Sequence, residues 1–152
     1  MPNRTTDPAR RYAPWLWLMS ALFLVRVIAQ PLALVVHAGF LPSFDRWQSG
    51  AVPYPYLLAT QVLIILWLGR TAAQFSRGAV VARRQLGAIM LALGGIYFVT
   101  MVLRLLLGAT VLSEHYWFAR PIPTVFHLVL ATAMLLYGHF HFRHGESMTA
   151  TR

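Results

Sequence analysis

A chain of 152 residues that is 58% hydrophobic and only 11% charged, with a mean hydropathy of +0.58, is too apolar for a soluble domain, in which roughly 25% of residues carry charge. It reads as a single all-α integral membrane domain. Its net charge of +9 comes from 13 arginines and no lysine, an excess that in a membrane protein marks loop topology rather than nucleic-acid binding, and the absence of cysteine excludes disulfides, thiolate nucleophiles and Cys-ligated metals.

Residues 1–12 contain no apolar run and are expected to be disordered. The first span covers about 15–37. Arg10 and Arg11 followed by WLWLMSALFLV resemble the start of a signal peptide, and VVHA resembles a cleavage site. Arg26 interrupts that pattern, and the run continues past it to spanning length, so an uncleaved anchor is the expectation. Arg26, Gln30 and His37 fall within about 40° of one another at 100° per residue, which gives the helix one polar stripe. Pro31 should kink the helix there and free a carbonyl. A guanidinium at mid-membrane depth costs at least about 2.5 kcal/mol on insertion scales, so Arg26 demands a partner.

The loop LPSFDRWQSGAVPYPY is short, aromatic and pinned by proline, and it is expected to fold back onto the membrane surface. The second span covers about 54–70, can extend through Ala72 to Phe75, and carries Tyr54 and Gln61 on one face. Arg70, Arg77, Arg83 and Arg84 lead to the third span, about 86–112, where Tyr97, Thr100 and Arg104 share a face and Gly94 with Gly95 permits close helix approach. Glu114, Tyr116, Trp117 and Arg120 occupy the next loop. The fourth span, about 121–142, places Thr124, His127, Ala131, Met134, Gly138 and His141 on an inward stripe. In HFHFRH, His139 and His141 lie 200° apart and cannot face one ion, and cations at a helix C-terminus are expected in any case, so no metal site is predicted. Residues 145–152 are expected to be disordered.

Arginines surround the N-terminus and the middle loop, whereas the other two loops balance Asp45 with Arg46 and Glu114 with Arg120. The positive-inside rule therefore predicts an up-down four-helix bundle, multi-pass in the inner membrane, with both termini cytoplasmic. In that orientation Gln30, His37, Gln61, Arg104 and His127 lie in the outer half, with Arg26 near the midplane.

No Asp or Glu lies in any span. Multidrug export of the kind that depends on an intramembrane carboxylate is thereby excluded, and the two arginines lack an internal counter-charge. Arg26, Gln30, Gln61, Tyr97, Thr100, Arg104 and His127 are expected to line a pocket for an anionic or polar-headed small molecule or lipid. Its recognised group would be a phosphate, a carboxylate, a quinone oxygen or a haem propionate, for which a planar guanidinium fork is suited. The protein would act alone, as a homo-oligomer, or as a subunit of a larger membrane complex. One alternative is electron transfer through a quinone or a single b-type haem held by His37 and His127. Another is a purely structural subunit whose polar groups lock helix packing. No catalytic residue is predicted, because His127 and Thr124 at i, i+3 form too common a pairing to count.

Overall fold

The computed structural model describes residues 7–35, 42–47 and 52–145, which are helical with no strand among them. The elements are α1 (Pro8–Val35), α2 (Phe44–Trp47), α3 (Tyr54–Arg77), α4 (Arg84–Ala109) and α5 (Pro121–His144). All but α2 are long and apolar enough to cross a membrane. His37 lies outside the described residues.

Two boundaries depart from the expectation by more than three residues, and capping explains both. Residues 8–12, expected to be disordered, form the opening turns of α1. Asp7 accepts the Ala9 N–H on Oδ1 at 3.0 Å, and Pro8 occupies the first helical position, where its missing N–H costs nothing. At the other extreme α3 runs past residue 70 to Arg77. It stops at Gly78 (φ 68°), where the Gly78 N–H bonds the Phe75 carbonyl and the Ala79 N–H bonds that of Gln74, a Schellman closure that favours glycine. α1 continues through Pro31 to Val35.

The long helices form two antiparallel hairpins, α1 with α3 and α4 with α5, joined where α1 packs on α5. Hydrogen bonds tie the helix ends at one pole: Arg10 Nη2 to the Arg77 carbonyl at 3.3 Å, and the Arg83 N–H to His141 Nδ1 at 3.1 Å. That pole gathers Arg10, Arg11, Arg77, Arg83, Arg84 and Arg143 and is called here the basic end. The opposite pole holds Asp45, Arg46, Glu114 and Arg120.

Towards the basic end the core is tight. Ala9, Ala13, Leu16, Ala72, Phe75 and Phe140 form one buried cluster, with the Phe75 and Phe140 rings edge-to-face at 4.7 Å, the geometry aromatic quadrupoles prefer. α4 and α5 approach so closely that a Cβ on Gly87 would collide with the backbone of Phe142, and one on Gly138 would lie 2.9 Å from the Leu91 nitrogen. Of the glycine pair in α4, Gly94 faces Met134 and Leu135 whereas Gly95 has open space around it. A second buried cluster, Phe23, Val27, Leu68 and Ala133, fills the middle of the bundle and forms the floor beneath its polar half.

Candidate functional site

Arg26 sits on α1 one turn beyond Phe23 and is only 4% exposed. Its guanidinium lies 5.3 Å from the centroid of the Phe126 ring, and Nη2 reaches the Trp47 carbonyl at 3.5 Å, the outer limit of a hydrogen bond. α2 supplies this contact. The Trp47 ring is itself buried, stacked on Phe126 at 6.2 Å, and its indole N–H donates to the Pro42 carbonyl at 3.1 Å. Phe126 is thus a shelf shared by the arginine and the tryptophan. Arg26 Nη1 is buried with no hydrogen-bond partner.

The second hairpin repeats the device in a firmer form. Arg104 of α4 donates from Nη2 to the Trp117 carbonyl at 2.7 Å, and its guanidinium lies 3.9 Å over the Trp117 ring. In both hairpins an arginine in the second half of the first helix donates to the carbonyl of a tryptophan in the connection that follows, where backbone acceptors are not used by a helix ladder. The Nε of Arg104 is buried and unpartnered.

Gln30, one turn above Arg26 on α1, is fully buried and accepts a hydrogen bond on Oε1 from Gln61 Nε2 of α3 at 3.2 Å. Each amide keeps one unused group: Gln30 Nε2 and Gln61 Oε1 have no partner. Between α4 and α5 the Tyr97 hydroxyl contacts His127 Nδ1 at 2.5 Å, with the two rings edge-to-face. Both groups lie within electrostatic reach of Arg26 and Arg104. The arginines, Tyr97 and His127 therefore form one cluster where α1, α4 and α5 meet, with the glutamine pair closing it towards α3.

Thr100 is not in this cluster. It is exposed, and its hydroxyl donates to the Ile96 carbonyl at 2.8 Å, so it satisfies itself within its own helix turn. Thr124 is buried but does the same with the Arg120 carbonyl at 3.0 Å. His141 lies at the basic end, where its Nδ1 accepts the N–H of Arg83, the residue that precedes α4. Among the described residues no group of three metal-ligating side chains comes together. Sequence reasoning missed Phe126, Trp47 and Trp117. Nothing in a sequence marks a residue that contributes only a carbonyl, or a ring that serves as a shelf.

Electrostatically the cluster is unbalanced. The two guanidiniums carry two positive charges, while Asp7 lies at the basic end and Asp45 and Glu114 belong to the opposite connections. A buried charge without a counter-charge is penalised by several kcal/mol. The unpartnered atoms comprise N–H donors on Arg26, Arg104 and Gln30 and one carbonyl acceptor on Gln61, a set complementary to an oxyanion that also carries a hydroxyl or amide donor. A cleft of about 520 Å³ opens at the surface between α2 and the start of α5, lined by Asp45, Arg46, Tyr116 and Ile122. These are the elements that supply Trp47 and Phe126. Comparison of the chain with protein-family models, curated proteins and solved structures finds no match.

Proposed function

We propose that this chain is a multi-pass inner-membrane protein, with both termini and the α3–α4 connection cytoplasmic, whose outer half binds the anionic or polar head of a small molecule or lipid through Arg26 and Arg104. The observation that carries the reading is the set of four buried, unpartnered polar atoms around these side chains: Arg26 Nη1, Arg104 Nε, Gln30 Nε2 and Gln61 Oε1. Unsatisfied donors of this kind cost about 1–3 kcal/mol each and more when charged, a cost that a ligand oxyanion would relieve. The membrane placement is supported by the outward display of Val25 on α1, Leu63 on α3, Ile96 on α4 and Val125 on α5 and by the segregation of arginine to one pole.

Native mass spectrometry of protein extracted with its own lipids tests the site. Wild type should carry a bound mass that Arg26→Met and Arg104→Met each reduce and the double variant removes. Arg26→Lys should rescue poorly, because a point charge does not reproduce the bidentate fork. Identical bound-mass profiles across wild type and all the variants would show that the arginines belong to the scaffold.

A further inference from the structure

A second cleft, of about 490 Å³, lies at the basic end between the start of α1 and the end of α5. It is lined by Arg11, Tyr12 and Trp15 from α1 and by His139, Arg143 and His144 from α5. The Tyr12 ring lies between the two histidines, with ring centroids 6.0 Å from His139 and 6.1 Å from His144, and His144 Nδ1 is tied to the Phe140 carbonyl at 3.1 Å. The guanidiniums of Arg11 and Arg143 thus come from two different helices onto one concave surface. No residue of the buried arginine cluster takes part.

The order of residues below the cleft adds a second constraint. Arg11, Trp15, Leu18 and Leu22 stand at i, i+4, i+7 and i+11 on α1, within about 60° of one another. Trp15, Leu18 and Leu22 are all exposed, Trp15 at 57%. Read towards the middle of the bundle, this face runs cation, amphipathic ring, aliphatic, aliphatic over about 16 Å, close to half of a hydrocarbon core of about 30 Å. α5 repeats the order with Arg143, His139 and Leu136 at spacings of four and three, and Leu136 lines the same cleft. Two antiparallel helices therefore present the same head-to-tail gradient side by side. A soluble anion would use only the top of it.

We propose that this cleft is a specific site for one anionic phospholipid, with its phosphate between Arg11 and Arg143, its glycerol region against Tyr12 and Trp15, and an acyl chain along Leu18 and Leu22. Tryptophan at headgroup level and paired cations above an apolar track match the polarity profile of such a lipid. The proposal is independent of what occupies the Arg26 cluster.

The test titrates purified, delipidated protein with phosphatidylglycerol and follows the one-to-one adduct by native mass spectrometry. A parallel arm uses inorganic phosphate. Wild type should form a saturable single-lipid adduct and no phosphate adduct. R11Q/R143Q should weaken lipid binding about thirtyfold, the effect of two cations at headgroup depth. The charge-matched control R70Q/R77Q, on α3 outside the cleft, should bind like wild type. R143Q alone, an exposed change in the last turn of α5, should lose about fivefold and provides the reading if the double variant does not fold. Equal losses in the cleft pair and the α3 pair would reduce the effect to diffuse surface charge and overturn the site. Phosphate binding that matches lipid binding would overturn the assignment to a phospholipid.

Discussion

The two halves of this bundle are made of similar helices but handle polar groups in opposite ways. Towards the basic end, Ala9, Ala13, Ala72, Gly87 and Gly138 bring backbones together around Phe75 and Phe140, and the one buried polar side chain of α5 there, His141, caps the start of α4. Towards the other end the core holds two guanidiniums, two amides, a phenol and an imidazole. Of the six buried side-chain polar atoms without a hydrogen-bond partner among the described residues, five lie in that half: Arg26 Nη1, Gln30 Nε2, Tyr54 Oη, Gln61 Oε1 and Arg104 Nε. Packing in a membrane gains little from burying apolar surface, so cohesion has to come from close van der Waals fit and hydrogen bonds. The basic half supplies both. The opposite half supplies neither in full, as expected of a region that, under the proposed function, is arranged around a ligand head.

The sharpest way to break this comparison is to overfill the tight half. Gly87→Leu should abolish the folded bundle, because its side chain would occupy the backbone of Phe142. Gly87→Ala should lower stability by about 2–3 kcal/mol, at the upper end of overpacking costs. Gly95→Ala, with nothing near its Cβ, should be neutral or slightly stabilising. Thermal melting in detergent, followed by circular dichroism, ranks the three. Equal melting of Gly87→Ala and wild type would contradict the close approach.

The two arginines sharpen the comparison from the other side. Arg104 has a short carbonyl bond and a tryptophan face, whereas Arg26 has a 3.5 Å contact and a bare Nη1. In ligand-stripped protein Arg26→Met should therefore be neutral or stabilising by about 1–2 kcal/mol, since the desolvation cost leaves with the charge. Arg104→Met should destabilise by about 1–2 kcal/mol through loss of its charged hydrogen bond and ring contact. Differential scanning fluorimetry reads the sign of each. A destabilisation by Arg26→Met as large as that by Arg104→Met would place Arg26 among the packing residues.

A smaller effect is expected at the glutamines. Gln30→Leu or Gln61→Leu alone should cost about 0.6–1.7 kcal/mol, the range for interhelical hydrogen bonds in membranes. The double variant should recover most of that, because no orphaned amide remains. A double-mutant cycle with no coupling would show that the 3.2 Å bond contributes nothing. Thr100→Val, which removes a hydroxyl bonded only to its own helix, should change stability by less than about 0.5 kcal/mol and leave bound mass unaltered.

Much of this arrangement is legible in the sequence. The four spans follow from apolar runs, and Arg26, Gln30, Gln61, Tyr97, Arg104 and His127 stand out because a polar group facing lipid would be unsatisfied. The same logic fails at Thr100, whose short hydroxyl reaches the carbonyl four residues back and so tolerates a lipid-facing position. It fails differently at Trp47 and Trp117, whose contribution to the arginines is a backbone oxygen common to every residue. The early start of α1 was written in Asp7-Pro8 and the late end of α3 in Arg77-Gly78, but hydropathy sets only where a helix enters the apolar layer, whereas caps set where it stops.

The proposed function requires that the unpartnered atoms of the arginine cluster face a bound ligand head. A high-resolution experimental structure of protein extracted with its native lipids tests this most directly. Non-protein density is expected within hydrogen-bond distance of Arg26 Nη1 and Arg104 Nε, extending to Gln30 or Gln61. Density showing those nitrogens bonded to protein carbonyls, or to ordered waters alone, would contradict it.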